Sequence, residues 1–453
     1  SSWHKHLRIG EWSRMTGGNW TATNKVRPGV YVNFNSAPQP LGAVGERGIV
    51  TMPVTLSWGE AKRIVTIEAG ENTTEKLGYP LSAPELLLVR EALKRAKTLL
   101  LYRVNEGVKA SATLGELIAT ARYGGERGND ITVVVEANAD SPALFDVSTL
   151  VAGVEKDRQT VAHIAGLSPN AWVAWNASGS LTESAGIPLT GGSNGNAVNQ
   201  NYIDYLDAIE TQQFHAMALP STDAELKALF VSFINNLRDN EGRKVVLAVE
   251  NYPAANYEGV ISVKNGVVLA DGKAVNAAQA TAWVAGASAA AGANESLTYA
   301  GYDGAVDASP RYTHTQTVAA LQNGELLFSQ DGTRAFVEQD INTFTAFTPD
   351  KGRYFSKNRV IRVLDAINND ISRVFSSYYI GKVANNADGR TLLKNEIVNY
   401  MTNLQNIGAI QNLDSDADIS VAPIEGQSDG VLVGLYIQPV DAVEKIYISV
   451  EVK

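Results

Sequence analysis

From residue 201 to residue 250 helical and strand patterns alternate, and this constrains the fold more than any other feature of the chain. Residues 201–212 read as a helix, 214–219 as a strand, Ser221 or Thr222 as a cap, 223–238 as a second helix and 244–250 as a second strand. Successive strands joined by helical crossovers pair in parallel, and the helices then cover both faces of the sheet. A hairpin at Lys264-Asn265-Gly266, an Ala-rich helix over 276–291 and a helix near 314–321 extend the same α/β region. At 453 residues the chain exceeds the size at which one hydrophobic core stops growing, so about two to four domains are expected.

The N-terminal part reads differently. Residues 1–14 carry His4 and His6 without a third metal-binding partner, and no function is assigned to them. The Gly-, Thr- and Asn-rich stretch that follows reads as an extended arm. Pro28-Gly29 then turns into a strand in which Val30, Val32 and Phe34 alternate with Tyr31 and Asn33. Residues 56–60 precede an apolar run at 64–67, Pro84 sits at the favoured first-turn position of a helix running to about residue 97, and 99–104 is a buried strand. Together these make a small mixed α/β domain. Between 110 and 190 the period shifts toward two, with short strands at 131–136, 143–149 and 171–175 bounded by Gly-Asn turn clusters, as in a β-sandwich or β-barrel insert. Gly191 to Gly195 reads as the flexible exit from that insert. A phosphate-cradling loop would need a lysine opening a helix, and none follows.

Residues 331–382 organise the C-terminal part. Asp331-Gly332, between apolar runs at 326–328 and 335–337, is the signal of a two-residue hairpin. Val360, Leu364, Ile367, Ile371 and Val374 then recur at spacings of 4, 3, 4 and 3, which places them on one helical stripe. Arg359, Arg362 and Arg373 project roughly opposite, and Lys351, Arg353 and Lys357 lead in with no acid between Lys351 and Arg362. The protein as a whole carries a net charge of −10, so this is a cationic helix on an acidic chain, with Asp340, Asp365 and Asp370 as nearby partners. The chain closes with β segments at 419–422, 431–438 and 446–452. In the last, Ile446, Ile448, Val450 and Val452 alternate with Tyr447, Ser449, Glu451 and Lys453. Such a strand needs a sheet edge, because unpaired backbone groups and an uncovered apolar face both cost free energy.

The run VEQDINTFTAFTPDKGRYFSKNRVIRVLDAI, followed by YIGKVANNADGR, strongly resembles the C-terminal domain of contractile tail sheath proteins, in the branch found in phages, defective prophages and phage-tail-like bacteriocins of Gram-positive bacteria. NKVRPGVYVNF, YGGERGNDITV, LTGGSNG and AGANESLTYAGYDGA resemble other parts of the same family, so the likeness covers nearly the whole chain after Met15. It implies a multidomain α/β fold: an N-terminal extension and arm at 1–27, a mixed α/β domain at 28–109, a β-sandwich at 110–190, a subtilisin-like α/β domain at 191–345, a mixed α+β C-terminal sheath domain at 346–439 and an arm strand at 440–453. It further implies a structural subunit that forms a homo-oligomer of stacked hexameric rings, a helical polymer around a tail tube protein, meeting baseplate and tail terminator proteins. Contraction of that polymer would drive the tube through a target cell envelope. The subunit would be assembled in the host cytoplasm into a virion tail or a phage-tail-like particle. Lys351, Arg353, Lys357, Arg359 and Arg362 are expected to face the tube, and Ile446, Ile448, Val450 and Val452, with Val30 and Val32, to form inter-subunit strands.

No cofactor, metal or catalytic residue is expected. The chain has no cysteine, no apolar stretch approaching the roughly 20 residues of a spanning helix, and no basic footprint for nucleic acid, so neither membrane insertion nor direct nucleic-acid contact is expected. A subtilisin-like sheet raises the alternative of a hydrolase. Past the first 14 residues the only histidines are His163, His215 and His314, and no Gly-x-Ser-x-Gly elbow occurs. Asp414, Asp416 and Asp418 alternate like part of a calcium loop but lack its glycine and distal glutamate, and read as a solvated acidic loop. A baseplate or secretion-sheath component is the remaining alternative.

Overall fold

The computed structural model describes residue 44 and residues 46–453. The expected N-terminal arm and the strand carrying Val30 and Val32 lie outside the described residues.

The chain enters through β1 (Ile49–Val54), β2 (Ile64–Glu68) and β3 (Thr98–Arg103), with α1 (Leu87–Leu93) before β3. Pro84 opens a 3-10 turn that feeds α1, which stops at Leu93, short of the expected residue 97. β3 runs parallel to β1, and β2 lies antiparallel on its other side. The sandwich follows: β4 (Ser111–Leu114), β5 (Leu117–Ala121), β6 (Ile131–Ala137), β7 (Phe145–Val151), β8 (Val154–Val161), β9 (Val173–Trp175) and β10 (Ser184–Pro188). One layer has the order β10-β6-β7-β8 and the other β4-β5-β9, with Ile131, Val133, Val135, Val147, Leu117 and Val173 in the core between them.

The chain then returns to the first sheet through α2 (Asn199–Ile209), β11 (Ala216–Leu219), α3 (Ala224–Asn235), β12 (Val246–Glu250) and β13 (Val260–Val263). The cap of α3 is Asp223, whose carboxylate accepts the Leu226 N–H at 2.9 Å, and neither Ser221 nor Thr222 fills that place. β14 (Gly266–Leu269), β15 (Ala274–Val275), α4 (Ala277–Ala290), β16 (Ala305–Ser309), α5 (His314–Gln322) and β17 (Glu325–Leu326) follow. The seven-stranded sheet has the order β17-β13-β12-β11-β1-β3-β2, parallel except for β2. Residues 49–103 are therefore part of this sheet, not a separate mixed domain. β1, which was not anticipated from the sequence, is the strand that joins the two chain segments.

Residue size explains how the helices seat. Period-two alternation sends Ala216, Ala218 and Ala248 to one face and Met217, Leu219, Leu247 and Val249 to the other. The small side chains let Ala-rich α4 approach closely, and a Cβ on Gly286 of that helix would lie 2.3 Å from the Ala92 carbonyl oxygen. On the opposite face Tyr205, Phe230 and Ile234 from α2 and α3 pack against the larger side chains.

Three turn expectations need correction. Lys264-Asn265-Gly266 makes no hairpin, since β13 belongs to the large sheet and β14 to a three-stranded one. The buried Asn265 side chain holds this crossing by accepting from the Phe328 N–H and donating to the carbonyls of Phe328 and Pro310. The hairpin of β18 (Phe328–Gln330) and β19 (Ala335–Val337) exists, but residues 331–334 form its connection, with the Asp331 carboxylate accepting the N–H groups of Thr333 and Arg334. The Gly191 to Gly195 segment is tied down: Val108 and Ser193 exchange backbone hydrogen bonds, and Asn194 accepts from Glu126 N–H and from the Asn105 side chain. Glycines are required because the strands come so close; a Cβ on Gly125, at φ +130°, would sit 2.0 Å from the Ser57 carbonyl oxygen. Trp58, stacked on Trp172 at 5.1 Å, and the buried Arg103 guanidinium, donating to the carbonyls of Gly59 and Gly124, complete the junction between sandwich and sheet.

After β19 the C-terminal unit comprises α6 (Asn358–Tyr378), α7 (Ala387–Asn406), β20 (Ile410–Gln411), β21 (Ile419–Ile424), β22 (Gln427–Leu435) and β23 (Gln438–Pro439). β21 and β22 form a hairpin against α7, and β20 pairs with β23. Residues 440–453 belong to no helix or strand.

Candidate assembly interface

Two features were expected to meet partners: the basic residues around α6 and the terminal segment. Helix α6 is buried on two sides. Val363, Ala366 and Ile367 pack against Ile397, Met401 and Leu404 of α7. A second, polar row at helical spacing, Asn358, Arg362, Asp365 and Asn369, faces the large sheet's unit. Asp365 takes a bidentate pair from Arg238 at 2.7 and 2.9 Å, and Arg238 also donates to the Val245 carbonyl. Arg362, 4% exposed, donates to Asp340 and to the Glu295 carbonyl, both at 2.9 Å, while the Asn358 amide donates to Asp340 at 2.8 Å. Asn369 exchanges hydrogen bonds with the backbone of Lys244. Asp370 pairs with Arg373 at 3.4 Å and accepts the Tyr400 hydroxyl at 2.6 Å. The three aspartates do serve the arginines, although the partner of Asp365 lies 127 residues away in sequence.

Most of the basic residues expected to face a tube are engaged within the subunit. Lys351 pairs with Glu258 at 2.6 Å and sits 4.7 Å from the centre of the Phe344 ring. Lys357 pairs with Glu444 and lies 3.5 Å from Asp441. Arg359 is half-buried and reaches the Gly408 carbonyl at 3.3 Å. Of the five basic residues singled out, only Arg353 is exposed, as are Tyr354, which follows it, and Phe347. The signal for the polar row was present in the spacing of 4, 3 and 4, but its partners come from distant parts of the chain.

The terminal segment is exposed. Ile446, Ile448, Val450 and Val452 are 77%, 81%, 79% and 94% exposed, and Val443, Leu432 and Tyr436 are exposed nearby. Among the described residues the expected third strand is not formed, and no described edge pairs with it. Among the described residues the last backbone-to-backbone hydrogen bond runs from Val440 N–H to the Ala409 carbonyl.

Among the described residues the histidines make no catalytic cluster. His215 precedes β11 and its Nδ1 accepts the Ile49 N–H at 3.1 Å; burial, then the nearby Arg47, pushes its pKa down to about 4. Its acceptor role requires this neutral ring. Asp414 accepts from the N–H groups of Asp416 and Ala417, which makes 414–418 a self-capped loop, and among the described residues no group of three or more His, Asp or Glu side chains is placed to hold a metal ion.

Comparison with known proteins gives a consistent result along the chain. Family models match at residues 47–104 (tail sheath protein Gp18 domain III N-terminal region), 105–194 (phage tail sheath protein beta-sandwich domain), 195–343 (phage tail sheath protein central domain) and 350–453 (phage tail sheath C-terminal domain). The phage-like element PBSX protein XkdK of Bacillus subtilis is 43% identical, over 97% of this chain and all of that protein. The crystal structure of a sheath tail protein from Desulfitobacterium hafniense shares 58% identity and superposes with a TM-score of 0.85, over 94% of this chain and all of that one. The helical sheath of the anti-feeding prophage in its contracted state, 14% identical with a TM-score of 0.55 over 94% of this chain and 99% of that one, shares the fold.

Proposed function

This chain belongs to the phage tail sheath family, a structural and not an enzymatic family, and from that premise we propose how it assembles: as stacked six-membered rings forming a helical polymer around a tail tube, bounded by baseplate and terminator proteins and built in the host cytoplasm. The polymer stores free energy in an extended packing and releases it by passing to a shorter, wider one, with inter-subunit links that survive the change. The six parallel strands and their covering helices keep the subtilisin-like topology as a proposal about architecture alone, since fold without a site carries no reaction.

The observation that supports this reading is the exposed alternating row Ile446, Ile448, Val450 and Val452 on a segment that pairs with no edge among the described residues. Donated to a neighbour's sheet, those four side chains would each gain about 1.5–3 kcal/mol on full burial, and the mainchain pairs about 1 kcal/mol each net. Ordering the segment costs about 1–2 kcal/mol per residue. Gains and cost are of the same size, so a single link is marginal and the lattice gains stability by repeating it. Main-chain pairing also tolerates a change of subunit orientation better than interlocked side chains do. Of the basic cluster, Arg353 with Tyr354 and Phe347 is the part we assign to the tube.

Deleting residues 446–453 tests the link. The truncated subunit should unfold at the same temperature as the full chain and sediment as a monomer where the full chain forms tubes visible by negative stain. Tubes of normal length from the truncated subunit would refute strand donation.

A further inference from the structure

One residue of the terminal segment stands apart from its neighbours. The Glu444 side chain is 10% exposed, whereas Val443 and Ile446 on either side are 83% and 77% exposed. Its carboxylate is gripped from three parts of the chain: Lys357 at the start of α6, the Thr298 hydroxyl, and the Gln339 side-chain amide at 3.1 Å. Thr298 in turn accepts the Asp340 N–H at 2.9 Å, and Asp340 is the carboxylate that holds Arg362 and Asn358. The grip is thus continuous with the buried network joining α6 to the sheet.

We propose that Glu444 is a positioning residue that fixes where and in which direction the terminal strand leaves the subunit, presenting 446–452 to a second copy of this chain. This rests on the strand-donation reading. With the carboxylate held, only 445–453 is free, a reach of about 30 Å at roughly 3.3 Å per residue. With it released, the arm would be free from residue 441, and four more residues would have to be ordered on every docking event. A tethered segment searches a smaller volume when its base is fixed, which raises its effective concentration at the neighbour's edge. Asp441, 3.5 Å from Lys357, makes a weaker second contact to the same ammonium and does not replace the hydrogen bonds of Glu444.

The chain has no cysteine, so labels placed at Lys273→Cys on the sheet's unit and Lys453→Cys at the arm tip report one distance without background. In dilute monomer the labelled parent should give a narrow distribution of spin–spin distances, and Glu444→Ala a broad one. The threshold concentration for polymerisation of the unlabelled chain should rise roughly tenfold in Glu444→Ala, about 1.4 kcal/mol, with the thermal midpoint unchanged. The exchange of charges, Glu444→Lys with Lys357→Glu, should recover much of both. If parent and Glu444→Ala give the same distribution and the same threshold while deletion of 446–453 abolishes polymers, the clamp is refuted and strand donation stands. If the deletion itself polymerises normally, strand donation fails, and the clamp's role in assembly fails with it.

Discussion

Glu396 offers a test of how α6 and α7 are packed. It is 3% exposed on α7, and among the described residues its Oε2 has no hydrogen-bond partner and neither does the nearby Tyr379 hydroxyl. Ile371, Val374, Phe375 and Ile397 line the same cavity, and the polar groups at its other end, Asp370 and Tyr400, are already bonded to each other. Burial alone raises the Glu396 pKa to about 7. An unfolded glutamate titrates near 4.3. Below that value both states hold the proton and the group costs nothing. As pH rises the unfolded chain releases its proton first, so stability falls until about pH 7, where the folded state releases it too. Two to three pKa units at 1.36 kcal/mol each set the total loss at about 3 kcal/mol. Glu396→Gln removes the titration while keeping the volume. Urea unfolding of dilute monomer followed by circular dichroism should find variant and parent within about 1 kcal/mol at pH 5, and the variant ahead by about 2–3 kcal/mol at pH 8. A difference that stays flat from pH 5 to pH 8 would refute the reasoning, since it would mean the folded state already accommodates the ionised carboxylate.

Other substitutions probe the remaining joints. Asp365→Ala strands a buried Arg238 and should cost about 3–5 kcal/mol in chemical unfolding, and Arg362→Glu should unfold the subunit outright, whereas Arg353→Glu should leave its thermal midpoint unchanged and weaken co-assembly with tube protein in a sedimentation assay. Gly125→Ala forces a Cβ to 2.0 Å from the Ser57 carbonyl at a positive φ; we expect a loss above about 2 kcal/mol and earlier proteolytic cleavage between sandwich and sheet. His215→Ala should cost about 1–3 kcal/mol through the orphaned Ile49 N–H and change no hydrolytic rate, so a peptidase activity that disappears with it would overturn the structural assignment.

Much of this architecture is local information. The alternation over 201–250 specifies strands and crossover helices through side-chain period alone, and the helix expected from Asn276 is capped by that residue's own side chain. The alternating Ile and Val residues of 446–452 likewise carry the period of a strand, although no strand forms there among the described residues. What the sequence does not carry is the identity of distant partners. The row Asn358, Arg362, Asp365 and Asn369 shows only as polar positions at helical spacing until Arg238, Asp340, Glu295 and Lys244 are brought against it. The merging of 49–103 with the later strands into one sheet, the pinning of the glycine loop after the sandwich and the anchoring of Glu444 have the same origin. Periodicity fixes which way a side chain points on its own element, but whether it meets water or a counter-charge depends on segments brought together by folding. Here those contacts decide that most of a basic cluster is engaged inside the subunit, and an apolar terminal segment is left uncovered among the described residues.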